Sequence, residues 1–165
     1  MGFESFRVEF RNPDADFLKI DHFVRTELHG IDDSEASFVG GSNYYTVSDD
    51  RAKAVIEMEV DITEKTISCR FTLCHPPIVD VIFSSLIRRL VNKFQLEVRI
   101  CDTDATNVWY PSADLELFDR NSGRLISKRR NEWITQFGKE QFPATTVEVY
   151  SQIILPHCKS LHAIS

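Results

Sequence analysis

Two carboxylates and a hydroxyl occupy alternate positions just after a segment that looks like a strand. Asp102, Asp104 and Thr106 follow residues 96–100, where apolar and polar residues alternate as in a strand with one buried face. Such carboxylates can act as nucleophiles or bind a divalent cation. Asp and Thr are also common where a chain leaves a strand, because they bond nearby backbone amides. We favour this loop interpretation, and catalysis is the competing hypothesis.

The D-x-D-x-T string of residues 102–106 resembles the first motif of haloacid-dehalogenase-type phosphatases. The resemblance implies that Asp102 attacks phosphorus, that Asp104 handles the proton of the leaving group, and that a divalent metal neutralises charge. That family places the motif on the first strand of a doubly wound sheet, whereas 101 residues precede it in this chain. The D-x-D of nucleotide-sugar transferases is a second, shorter resemblance.

Five cysteine and histidine residues could bind zinc, but their spacing is poor. Cys74 and His75 are adjacent, while His157, Cys158 and His162 lie near the C-terminus. Structural zinc sites usually show two tight pairs such as C-x-x-C. Cys74 also stands between a strand end and a helix start, where a thiol pKa is lowered. The role of these five residues stays open, and we predict no metal and no cofactor.

Acidic residues cluster in the first half of the chain. Glu57, Glu59 and Asp61 alternate with apolar residues and are expected to face water from one strand, and Asp32 and Asp33 lie in a predicted loop. Such carboxylates keep a protein soluble, and they also steer a basic partner. These five residues are the predicted binding surface.

One basic segment runs from Arg124 to Arg130, shortly before Trp133. Basic side chains beside aromatic ones can hold phosphates and stack bases. On a helix, however, Arg129 and Arg130 turn away from the face of Arg124, which favours a solvated helix. The net charge of −6 also disfavours nucleic acid as a partner.

The hydrophobic pattern predicts the elements that hold these residues. Between residues 66 and 100 it indicates a strand, a helix over 78–94 whose first turn follows Pro77, and a second strand. Earlier segments are assigned in the same way. The assignments are a strand over 5–11, a helix over 14–29 capped by Asn12, a loop over 31–42, and strands over 43–47 and 54–62.

The pattern is weaker after residue 100. Residues 102–112 are a predicted loop, 113–119 fit either helix or strand, Asn121 to Gly123 mark a turn, and 125–137 are a predicted helix. Residues 145–155 alternate as a strand would and also carry capping-box spacing, so we leave strand and helix open there, with a slight preference for strand.

The order β-α-β-β-β-α-β predicts an α+β fold, with a single mostly antiparallel sheet, two helices on one face and an additional C-terminal helical segment. The length of 165 residues fits one domain over 1–165, with 156–165 expected to be a flexible tail. No apolar run is long enough to span a bilayer, and the N-terminus has no export signal, so we expect a cytoplasmic protein with free thiols.

These features predict a non-enzymatic protein-binding module, an inhibitory or immunity-type partner of a basic protein. The alternative is a small metal-dependent phosphoryl hydrolase that uses Asp102 and Asp104. The sequence does not predict the oligomeric state.

Overall fold

In the part of the chain that the structure describes, six antiparallel strands form one sheet. The computed structural model describes residues 5–28, 38–39, 42–49, 54–73, 78–101 and 107–137. The strands are β1 (Ser5–Arg11), β2 (Phe38–Val39), β3 (Ser42–Asp49), β4 (Ala54–Asp61), β5 (Thr66–Thr72) and β6 (Glu97–Ile100). Their order across the sheet is β2-β3-β4-β5-β1-β6, so the first strand of the chain lies between β5 and β6.

Among the described residues, three helices accompany the sheet. The helices are α1 (Phe17–Phe23), α2 (Ile78–Phe94) and α3 (Leu115–Phe137). A π-helical turn, Val24–Leu28, extends α1, and a 3₁₀ turn, Ser112–Asp114, precedes α3. The α2 limits are those predicted from its apolar stripe.

One face of the sheet carries the core. Alternate residues of β1, β4, β5 and β6 are buried on it, and α1 and α2 both contact that side. The Phe83 ring of α2 lies 4.6 Å from that of Phe71 in β5 and 6.0 Å from that of Phe6 in β1. The predicted fold class is confirmed: an antiparallel α+β sheet with two helices on one face and a further helix toward the C-terminus.

The predicted start of the first helix is wrong. Asp16, not Asn12, caps α1, and its carboxylate accepts a hydrogen bond from the Lys19 amide at 3.2 Å. The Asn12 side-chain oxygen accepts from the Asp14 amide at 3.0 Å, before α1 begins, and its Nδ2 donates to the carbonyl oxygens of Phe94 and Gln95, at 3.3 and 3.1 Å. Asn12 therefore caps the C-terminus of α2, a use that local spacing cannot reveal because the partners are more than 80 residues away.

The predicted turn at residues 121–123 is also wrong, because these residues lie inside α3. Asn121 donates to the Tyr110 hydroxyl at 3.0 Å, and Ser122 donates back to the Asp119 carbonyl at 3.2 Å. Burial of Phe118 and Ile126 on either side keeps the segment helical despite its turn-forming composition.

Several sequence predictions fall outside the described residues. They concern the element over 145–155 and the tail over 156–165. Within the described ranges, no helix combines the length and hydropathy needed to cross a membrane.

Candidate functional site

The three acidic residues predicted on one strand lie together on the outer face of β4, opposite the helices. Glu57, Glu59 and Asp61 alternate with Ile56 and Met58, which are buried on the inner face. The alternation of a half-buried strand therefore places these carboxylates on one side, as predicted.

Each of these carboxylates has its own local partner. Glu57 forms an ion pair with Arg70, the residue directly opposite it on β5. Glu59 accepts a hydrogen bond from the Tyr44 hydroxyl, and that bond raises the pKa of Tyr44. Asp61 accepts from two backbone amides of the β4–β5 turn, each at 2.9 Å, and so stabilises that hairpin. Asp61 is thus bound to the backbone of the turn, whereas Glu57 and Glu59 bond side chains on the outer face, and Glu57 keeps 38% of its side chain exposed in its ion pair.

Arginine residues occupy the other half of the same sheet face. Arg99 of β6 bonds Glu9 of β1 through two nitrogens, at 3.0 and 2.6 Å. Arg11 bonds Glu97 at 2.8 Å. The guanidinium carbons of Arg11 and Arg99 lie 4.1 and 4.7 Å from the centre of the Trp109 ring, which adds cation–π contacts. This half of the face is a closed network of ion pairs around one indole.

The charge of the protein is also divided unevenly along its sequence. Residues 29–64, which include β2, β3 and β4, contain nine acidic and two basic residues and carry a net charge of −7. The remaining residues contain sixteen acidic and seventeen basic residues, a net charge of +1. β2, β3 and β4 form one side of the sheet, and the described carboxylates Glu57, Glu59 and Asp61 of this segment lie on that side. We call β2, β3 and β4 the acidic edge.

A buried polar cluster fixes the acidic edge to α1. Asp21, which is 8% exposed, accepts hydrogen bonds through its carboxylate from the side-chain amide of Asn43 and from the Tyr45 hydroxyl, both at 2.5 Å. Arg25 lies 3.4 Å from both Asp21 and Tyr45. Burial raises the pKa of Tyr45, and the bond to Asp21 raises it further. The cluster holds β3 in a fixed position, which a binding surface on its outer side requires.

A groove of about 650 Å³ lies between α2 and α3. Phe83 and Phe118 line it, and both Ser84 and Arg88 of α2 bond Asp119 of α3. These bonds hold α3 against α2, so Ser84, Arg88 and Asp119 serve helix packing.

The basic segment from Arg124 to Arg130 does not form one surface. Arg130 pairs with Asp80 of α2 at 3.0 Å, and Lys128 lies 3.9 Å from Glu132 on its own helix. The charged side chains of this segment therefore have different surroundings: Arg130 contacts α2, whereas Lys128 is exposed to solvent.

The other predicted site residues lie outside the described parts of the structure. They are Asp32, Asp33, Asp102, Asp104, Thr106, Cys74, His75, His157, Cys158 and His162. The strand before the D-x-D-x-T string is described: β6 is an edge strand paired antiparallel with β1, unlike the doubly wound sheet that the phosphatase resemblance implies. Among the described residues, no three acidic, cysteine or histidine side chains form a group that could hold a metal.

Sequence reasoning missed Tyr44, which is 42% exposed on β3 and bonds Glu59. The adjacent pair Tyr44 and Tyr45 contained the signal, because neighbouring strand residues face opposite sides and one of the two rings must point outward. The contact of Arg11 and Arg99 with Trp109 had no such signal, since it depends on the pairing of β1 with β6.

No family model, no curated protein and no solved structure matches this chain significantly.

Proposed function

We propose that this chain is a non-enzymatic protein-binding module, an inhibitory or immunity-type partner of a basic protein, and that it binds through the acidic edge. The observation that carries this proposal is the division of charge, with −7 in residues 29–64 and +1 in the rest. The electrostatic field of such an uneven charge distribution accelerates the encounter with a cationic protein and orients that protein toward the acidic side of the molecule.

The acidic edge also has the composition of a binding surface. Tyr44 presents a large, partly exposed aromatic ring beside Glu59, its partner on the neighbouring strand. Tyrosine is enriched at protein interfaces because its ring contributes apolar area while its hydroxyl keeps a hydrogen bond. Glu57 and Glu59, each about one strand spacing from β3, would supply the charged rim.

The test is affinity capture with two variants of equal charge. Immobilised wild-type protein is compared with the E57Q/E59Q variant and with D14N/E116Q, which removes two exposed carboxylates away from the acidic edge. We expect wild type and D14N/E116Q to retain the same basic protein from an extract of the source cells, to release it at high salt, and to inhibit its activity. The E57Q/E59Q variant should not retain this basic protein.

Equal capture by both variants would contradict the proposal, because bulk charge and not the acidic edge would then be responsible. Capture of an acidic protein, or capture that is insensitive to salt, would contradict it as well.

A further inference from the structure

The outer edge of β3 is only partly covered by β2. Phe38 and Val39 of β2 pair with Asn43 and Ser42, the first two residues of β3. On its inner side, β3 pairs with β4 along all eight residues, Ser42 to Asp49. Within the described ranges, residues 44–49 have no strand on their outer side.

An edge strand of this length presents backbone amides and carbonyls that can pair with another chain. Extended peptides bind such edges by adding a strand, with affinity from the backbone bonds and specificity from alternate side chains. The Asp21 cluster fixes the start of β3, so the edge is already in the extended form that pairing needs.

The charge around β3 selects the kind of strand that fits. A strand added outside β3 would lie about 10 Å from β4, two strand spacings away. Its residues at every second position would point to the outer face, where Glu57 and Glu59 of β4 and the ring of Tyr44 lie. Lysine or arginine at those positions can reach over β3 toward the carboxylates. A second copy of this chain fits poorly, because its own Glu57 and Glu59 would be brought toward those of the first copy.

We infer that an extended segment of the basic partner, with lysine or arginine at every second position, pairs with residues 44–49 as a seventh strand of the sheet. This inference rests on the proposed function and specifies its binding mode.

The test uses an eight-residue peptide of alternating lysine and threonine as the probe. A second peptide has the same sequence but carries N-methyl groups on every second backbone nitrogen, which removes donors and keeps the charge. We expect the unmodified peptide to bind at least about tenfold more tightly than the methylated one, because several backbone hydrogen bonds are lost. Binding should also slow amide hydrogen exchange in residues 44–49.

The remaining outcomes separate this inference from the proposed function. Equal binding of both peptides, reduced in E57Q/E59Q, would overturn strand pairing and leave the acidic edge as the binding surface. Binding of neither peptide would overturn the inference, while the capture experiment decides the proposed function independently. If residues 44–49 of the free protein exchange as slowly as β4, or if sedimentation shows a dimer that protects them, the edge is already occupied and the inference is wrong.

Discussion

Glu9 shows how one side chain connects two strands on the outer face. Besides its two bonds to Arg99, it lies 3.3 Å from Arg7 on its own strand. Burial alone would raise the pKa of Glu9, but the hydrogen bond and charge of Arg99, with smaller contributions from Cys101 and Arg7, lower it below 4.5. A carboxylate with a lowered pKa stabilises the fold above its unfolded pKa and loses this effect as the pH falls through the folded value.

We therefore expect Glu9→Gln to lower the free energy of unfolding at pH 7 and to have a smaller effect below pH 4.5. Chemical denaturation of both proteins across this pH range measures the difference. A difference that stays constant across this pH range would show that Glu9 acts by packing and not by its charge.

Gly123 gives a second prediction at this scale. It is exposed inside α3, and a Cβ atom built on it meets nothing within 4 Å. Gly123→Ala should raise the free energy of unfolding by about 0.5–1 kcal/mol, because glycine loses more backbone entropy in a helix than alanine does. Urea denaturation measures the change. A loss of stability would mean that α3 needs the flexibility of glycine at this position.

At the scale of elements, α2 is held to the sheet by aromatic packing. Phe83 is 3% exposed and its ring meets those of both Phe6 and Phe71. Phe83→Ala should cost about 3–5 kcal/mol, because it removes a large buried side chain and leaves a cavity.

Val81 lies two residues earlier on the same helix and is 64% exposed, so it is a matched control. Val81→Ala should change the free energy of unfolding by less than about 0.5 kcal/mol. Equal effects of the two substitutions would contradict the assignment of the buried face of α2.

The accuracy of the sequence predictions also differs between elements. The stripe from Ile78 to Phe94 is local and repeated, so it predicted both limits of α2. The start of α1 was misplaced because the Asn12 side chain serves another helix, and Asn121 to Gly123 were assigned to a turn because the packing of Phe118 and Ile126 is not visible in composition. Local periodicity was therefore sufficient only where tertiary contacts agree with it.

At the scale of the whole molecule, the strand order predicts where the sheet is most stable. β1 and β5 each have a strand on both sides, whereas the four-residue β6 ends the sheet of described strands and is bridged on its outer side by Tyr110, which pairs with Val98. We expect amide hydrogens of β1 and β5 to exchange slowest and those of β6 to exchange faster, because edge strands open without global unfolding. Native-state hydrogen exchange with residue resolution tests this order, and slower exchange in β6 than in β5 would contradict it.

The candidate site was predictable only in part for a related reason. The carboxylates of β4 follow from alternation within one strand, so the sequence indicated Glu57, Glu59 and Asp61. The arginine half of the face depends on the position of β1 beside β6, although these strands are nearly 90 residues apart. Long-range pairing of this kind leaves no local signature.

The central position of β1 has a consequence for synthesis on the ribosome. The meander of β3, β4 and β5 consists of neighbours in sequence and can form early, whereas β1 must wait for partners at residues 66–72 and 97–100. β1 precedes the other strands along the chain and is thus among the last to acquire both neighbours, so its apolar residues Phe6, Val8 and Phe10 stay available to chaperones until residues 97–100 have been synthesised.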